Sequence, residues 1–271
     1  MDLQTLRLFE EEVRKLVPGF KVAFKDETPS QKVIAFFLRP FNPTYMTKYI
    51  STFNPVVYFP SRTSYEAVPK GSMTVLAHEL VHLLDTQKSP VWFRVSYMFP
   101  QVLSLVVLAA YIALTGWKAY PLAILFGTLL LGCVLAPKSM GAFWACVGVG
   151  VAAGCTLAIL VNGWLSIPLF VGLALLAPWP APGRVHWELR GYSMNLAITI
   201  WLYGIAPDMV RAMLVRPFIR SDYFFMSWSR TKIEAAFDKT AASALSGEIL
   251  KDQPFNVVHE FLLKNGEIHG R

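Results

Sequence analysis

Apolar residues recur at Leu3, Leu6, Phe9, Val13 and Leu16, the spacing of one helix face, and Pro18-Gly19 stops the pattern. Two short apolar runs, Phe20–Phe24 and Lys32–Leu38, read as strands separated by the turn-forming Asp26–Ser30. Val56, Val57, Tyr58 and Phe59 form a compact β-branched and aromatic run with Pro55 before it and Pro60 after it. Prolines at both ends predict an edge strand. Residues 61–70 read as loop or broken helix. Helix resumes near Gly71, with Ser72 as its N-cap, and runs to about Gln87.

Beyond Arg94 the pattern changes. Up to Arg184 the only charged residues are Lys118 and Lys138, with no carboxylate at all. The block divides at Lys118, Pro137-Lys138 and Asn162-Gly163 into apolar stretches over residues 97–117, 119–136, 141–161 and 164–179. Each is close to the roughly 20 residues that cross a bilayer. Four spans joined by tight turns predict two transmembrane helical hairpins, hence a multi-pass integral membrane protein of the cytoplasmic or inner membrane. A helix from Val185 to Tyr203 follows. Residues 210–228 then interleave Arg211, Arg216 and Arg220 with Phe218, Tyr223, Phe224, Phe225 and Trp228, a mixture suited to a membrane surface. The tail, residues 231–263, reads as two helical stretches broken at Gly247 and Pro254. The chain thus divides into an N-terminal half (1–94), a membrane region (95–183) and a C-terminal half (184–271).

Composition supports that division. The 271 residues are 54% hydrophobic and only 16% charged, against roughly 25% charged for a typical soluble domain. The net charge of +7 suits anionic lipid, and no basic run or stacking motif points to nucleic acid. The three cysteines, Cys133, Cys146 and Cys155, all lie in the apolar block and suggest no disulfide framework. The N-terminus is acidic and amphipathic, unlike a secretory signal.

The chemistry concentrates in Thr74–Asp85, which contains His78-Glu79-Leu80-Val81-His82. On a helix, residues four apart share a face, so His78 and His82 can hold one Zn²⁺ while Glu79 reaches its water. A catalytic zinc takes three protein ligands and leaves one position open. Further imidazoles stand at His186, His259 and His269. Glu188 is the only carboxylate between Asp85 and Asp208, and it opens the helix after the apolar block. It is the favoured third ligand. A metzincin would carry glycine and a ligand three and six residues after the second histidine, where this chain has Asp85 and Lys88.

His78-Glu79-x-x-His82 with a downstream Glu188 resembles the gluzincin-type zinc metallopeptidases. Membrane zinc proteases of the CAAX-processing and heat-shock-protease type similarly place transmembrane helices between these two elements. This chain differs from them in having no membrane segment before the motif, and in carrying Tyr192 where they carry aspartate. The resemblance implies an α+β zincin-like domain interrupted by the four-helix membrane insertion. It further implies a zinc endopeptidase acting on a polypeptide, membrane-associated or not, at the lipid bilayer. His78, His82 and Glu188 would hold Zn²⁺, and Glu79 would act as general base and later proton donor. Tyr192 or His259 would supply a donor to the oxyanion. Asp85 would orient a ligand imidazole, and the run to Asp85 also resembles the anthrax lethal factor type. The edge strand Val56–Phe59 would take substrate backbone by strand addition, as zincins generally do. The ligands can meet only if the crossings between them are even in number, which four spans satisfy. The distribution of Arg94, Lys138 and Arg184 then puts the active site on the cytoplasmic side. Two other classes remain open: a non-catalytic membrane or assembly protein with structural zinc, and a membrane-remodelling or pore-forming protein.

Overall fold

The computed structural model describes residues 1–38, 44–99, 103, 128, 140–162, 181–204, 208–219, 226–227 and 229–268. In chain order the elements are α1 (Leu3–Leu16), β1 (Lys21–Phe24), α2 (Pro29–Leu38), β2 (Ser51–Phe53), β3 (Val56–Phe59), α3 (Arg62–Ala67), α4 (Pro69–Lys88) and α5 (Pro90–Met98). They continue with α6 (Met140–Asn162), α7 (Pro182–Tyr203), α8 (Asp208–Ile219), α9 (Arg230–Ser246), a 3-10 turn (Glu248–Lys251) and α10 (Gln253–Lys264).

The described residues divide into two compact units. One is drawn from Met1–Val33, Met46–Tyr97 and Pro180–Arg271; the other comprises Ile34–Tyr45 and Met98–Trp179. In the first, α4 and α7 pack against each other at the centre. α1 covers α4, while α9 and α10 cover α7. Leu6, Phe9 and Val13 of α1 meet Leu76, Leu80 and Leu83 of α4 in one buried cluster with Met194, Ala197 and Ile198 of α7. Both central helices start on a proline in the first turn, where the missing N–H costs nothing. α7 ends at Gly204 in the left-handed conformation (φ 76°).

Several expectations are corrected. The described residues do not form an α+β domain interrupted by a membrane bundle. They are mostly helical, with ten α-helices and three short strands, and no helix among them is long and apolar enough to cross a membrane. The stretches 119–136 and 164–179, and most of 97–117, lie outside the described residues. The stretch 141–161 falls in α6, which is not among helices long and apolar enough to cross a membrane, there being none among the described residues. The multi-pass membrane placement is therefore overturned, and the cytoplasm-facing topology built on it goes with it.

Locally, Lys32–Leu38 is helix, not strand. Pro29 starts α2, and an unbroken apolar run carries no period that separates helix from strand. Val56–Phe59 is not an edge strand. The sheet order is β1-β3-β2, with β3 parallel to β1 and antiparallel to β2, so β3 is central. Pro55 and Pro60 lie just outside it and leave its ladder intact. Ser72 caps nothing. α4 begins at Pro69, and the Ser72 hydroxyl donates to the Tyr65 carbonyl at 2.7 Å. Phe218 is fully buried against Tyr192 and Phe237 rather than lying at a membrane surface. Residues 220–225 and Trp228 lie outside the described residues.

Candidate metal centre

α4 carries His78 and His82 on one face, and α7, packed against it, brings Glu188 from its second turn. All three side chains are buried. The two Nε2 atoms lie 3.1 Å apart, and Glu188 Oε2 stands 3.5 Å from His78 Nε2 and 3.8 Å from His82 Nε2. The point equidistant from the three corners lies about 2 Å from each, which is the ligand distance of a zinc-sized ion. Two imidazole nitrogens and a carboxylate oxygen facing one point fit a divalent metal. Among the described residues this is the one group of three or more such side chains that could hold a metal ion.

The close approach depends on Gly191. A Cβ there would lie 2.5 Å from His78 Nε2 and 2.7 Å from its Cε1, so only glycine lets α7 run past the ring. Tyr192 stands edge-on to the His78 ring, with centroids 4.7 Å apart, and Phe218 backs it at 5.3 Å.

The second oxygen of Glu188 is also engaged: Tyr97 of α5 donates its hydroxyl to Oε1 at 2.5 Å. Burial, reinforced by the Glu188 charge and hydrogen bond, pushes the Tyr97 hydroxyl well above its usual pKa and keeps it a donor. Burial alone would raise the Glu188 pKa, but hydrogen bonds from His78 and His82 and their charges outweigh it. The carboxyl is held well below its usual range. For His82, burial favours the neutral form, yet the bond to Glu188 and the charges of Glu188, Glu79 and Asp85 lift its pKa above the ordinary imidazole value.

Glu79, next to His78 in the chain, is half-buried, and its charge acts on His82. Its Oε2 accepts a 2.7 Å hydrogen bond from Thr52 on the edge strand β2. Asp85 does not bond an imidazole. Its two oxygens take Arg190 Nε at 2.9 Å and NH2 at 3.1 Å, and Arg190 also reaches Asp252 at 2.9 Å. The buried His82 Nδ1 has no protein hydrogen-bond partner, and Asp85 instead joins α4 to α7 through Arg190.

The remaining candidates separate from the centre. His259 packs on Trp201, centroids 4.9 Å apart, and lines a different cavity with Leu245, Leu250 and Ile268. His186 is exposed, edge-on to Trp187, and His269 lies outside the described residues. Of Val56–Phe59, none contributes the strand edge beside Glu79; β2 does.

Thr52, Tyr97 and Arg190 carry no motif that marks them in the sequence. Tyr97 lay at the start of an apparent membrane span, and Thr52 in a three-residue strand too short to register. Gly191, three residues after Glu188 and inside a helix, was the one available sign of a close approach. No known protein family, curated protein or solved structure matches the chain.

Proposed function

We propose that the chain is a zinc-dependent endopeptidase that hydrolyses polypeptides. The carrying observation is the convergence of His78 Nε2, His82 Nε2 and Glu188 Oε2, with the half-exposed Glu79 held beside them by Thr52. A structural zinc is normally closed by four protein ligands, whereas three converge among the described residues, which fits the catalytic pattern. The donor set of two imidazoles and a carboxylate suits zinc among common divalent ions.

Bound zinc supplies Lewis acidity, which acidifies a water molecule and polarises a peptide carbonyl. Glu79 would take a proton from the attacking water on the oxygen not bonded to Thr52 and deliver it to the departing amine. His78 and His82 would hold the ion as neutral imidazoles through Nε2. Tyr192, with its ring against His78, is the oxyanion-donor candidate on the site side of α7; His259 is remote from it in role and contact.

The test compares zinc content and cleavage of an unfolded polypeptide in the wild type and in Glu79→Gln. Zinc near one equivalent in both, with hydrolysis only in the wild type, is expected. Equal cleavage by the two proteins, or wild type that binds zinc and cleaves nothing, would sink the peptidase reading.

A further inference from the structure

We propose that Tyr97 is the positioning residue that restricts Glu188 to one ligating oxygen. The inference rests on the metal-site reading above and goes beyond it. Glu188 has two oxygens with different tasks: Oε2 faces both imidazoles, while Oε1 accepts the Tyr97 hydroxyl. An unengaged carboxylate can swing so that both oxygens bind a metal, which would fill the position needed for water and substrate.

Tyr97 is itself held in place. Its ring stacks on Phe93 at 5.6 Å and 23°, stands edge-on to His82, and carries the Arg184 guanidinium 5.2 Å from its centroid. α5 is tied to α7 by the Trp187 Nε1 bond to Ser96 Oγ at 2.9 Å, and by Gly183, which lies against the Ser96 carbonyl. The hydroxyl therefore approaches Glu188 from a helix fixed to the same helix that bears the glutamate. The pair moves as one, and Oε2 stays aimed at the histidines.

Co²⁺ is titrated into the metal-free full-length chain and followed by visible absorption, which is stronger for four-coordinate than for five- or six-coordinate cobalt. Tyr97→Phe keeps the ring and removes only the hydroxyl. It should weaken Co²⁺ binding about 10–100-fold and lower the absorption per bound ion, with the melting temperature of the metal-free protein little changed. Phe93→Leu, which loosens the stacking but keeps the hydroxyl, should fall between wild type and Tyr97→Phe in Co²⁺ affinity and absorption. Wild-type affinity and spectrum in Tyr97→Phe would overturn the inference while leaving the metal site intact. A wild type that takes up no cobalt would overturn both. A Tyr97-dependent spectrum in a protein that cleaves nothing would uphold Tyr97 and remove the peptidase.

Discussion

Thr52 Oγ1 donates to Glu79 Oε2 at 2.7 Å. The contact ties the carboxylate next to the metal ligands to an edge strand 27 residues earlier in the chain. In register, Thr52 lies opposite Val57, so β3 fixes β2 and β2 fixes the rotamer of Glu79. One hydrogen bond to a charged carboxylate contributes about 1.5–3 kcal/mol, the lower end of which is roughly a tenfold rate effect if it acts only on the base. Thr52→Val should therefore lower kcat about tenfold with zinc affinity unchanged, and Thr52→Ser should restore it. A drop in zinc content alongside kcat would show that Thr52 acts on the ligands instead.

The core of this arrangement is legible in the sequence. The i,i+4 spacing put His78 and His82 on one face, and the scarcity of carboxylates after Asp85 singled out Glu188. What stayed hidden was every contact that depends on tertiary pairing. Thr52 has no signature, because its partner lies on a helix and its strand is only three residues long. Sequence spacing points Asp85 at His82 and cannot show Arg190, 105 residues later, competing for it. The charge-poor block reads as a set of spans on hydropathy alone, yet no helix among the described residues is long and apolar enough to cross a membrane. Tyr97, at the start of the first such stretch, instead donates to Glu188.

Gly191 gives the sharpest steric test. The distance from a built Cβ to His78 Nε2, 2.5 Å, is well inside van der Waals contact, and the ring has no flexible tail to retreat. Gly191→Ala should displace the His78 ring or part α4 from α7. Either way zinc affinity should fall at least about tenfold, on the scale of losing ligand orientation. Helix propensity alone would make the alanine variant more stable by up to about 1 kcal/mol. Thermal melting together with zinc titration separates the effects. Unchanged zinc affinity with a higher melting temperature would show that the close approach relaxes without touching the site.

Arg190 joins three elements, bonding Asp85 on α4 and Asp252 at the start of α10 from its place on α7. Asp85 is buried, while Arg190 and Asp252 are partly exposed, so solvent screens the second pair and the first carries most of the effect. Arg190→Met should leave Asp85 buried without its partner and cost about 2–4 kcal/mol. Adding Asp85→Asn should recover part of that loss, because a neutral amide tolerates burial better than an unpaired carboxylate. Urea unfolding of the two variants measures it. A double variant less stable than Arg190→Met alone would mean that Asp85 stabilises the fold by some contact other than Arg190.

Acidity should separate the metal-free from the metal-loaded protein. The His82 pKa is raised above 6.5, and that of Glu188 is depressed below 4.5. For the raised histidine, the stabilisation of the metal-free fold is fully present below 6.5 and is lost as pH rises through its folded value. For the depressed glutamate, the contribution is present above 4.5 and is lost as pH falls through its folded value. The ion pair therefore supports the metal-free protein best between 4.5 and 6.5. Zinc requires the neutral imidazole and must displace that proton, so its affinity should weaken about tenfold per pH unit once His82 is charged. Because bound zinc stabilises in proportion to its affinity, the melting-temperature difference between loaded and metal-free protein should be small near the lower end of that window and widen steadily above it. Differential scanning across the range, with zinc held in fixed excess, measures it. A difference that stayed flat, or grew on acidification, would show that no proton leaves His82 when the metal binds.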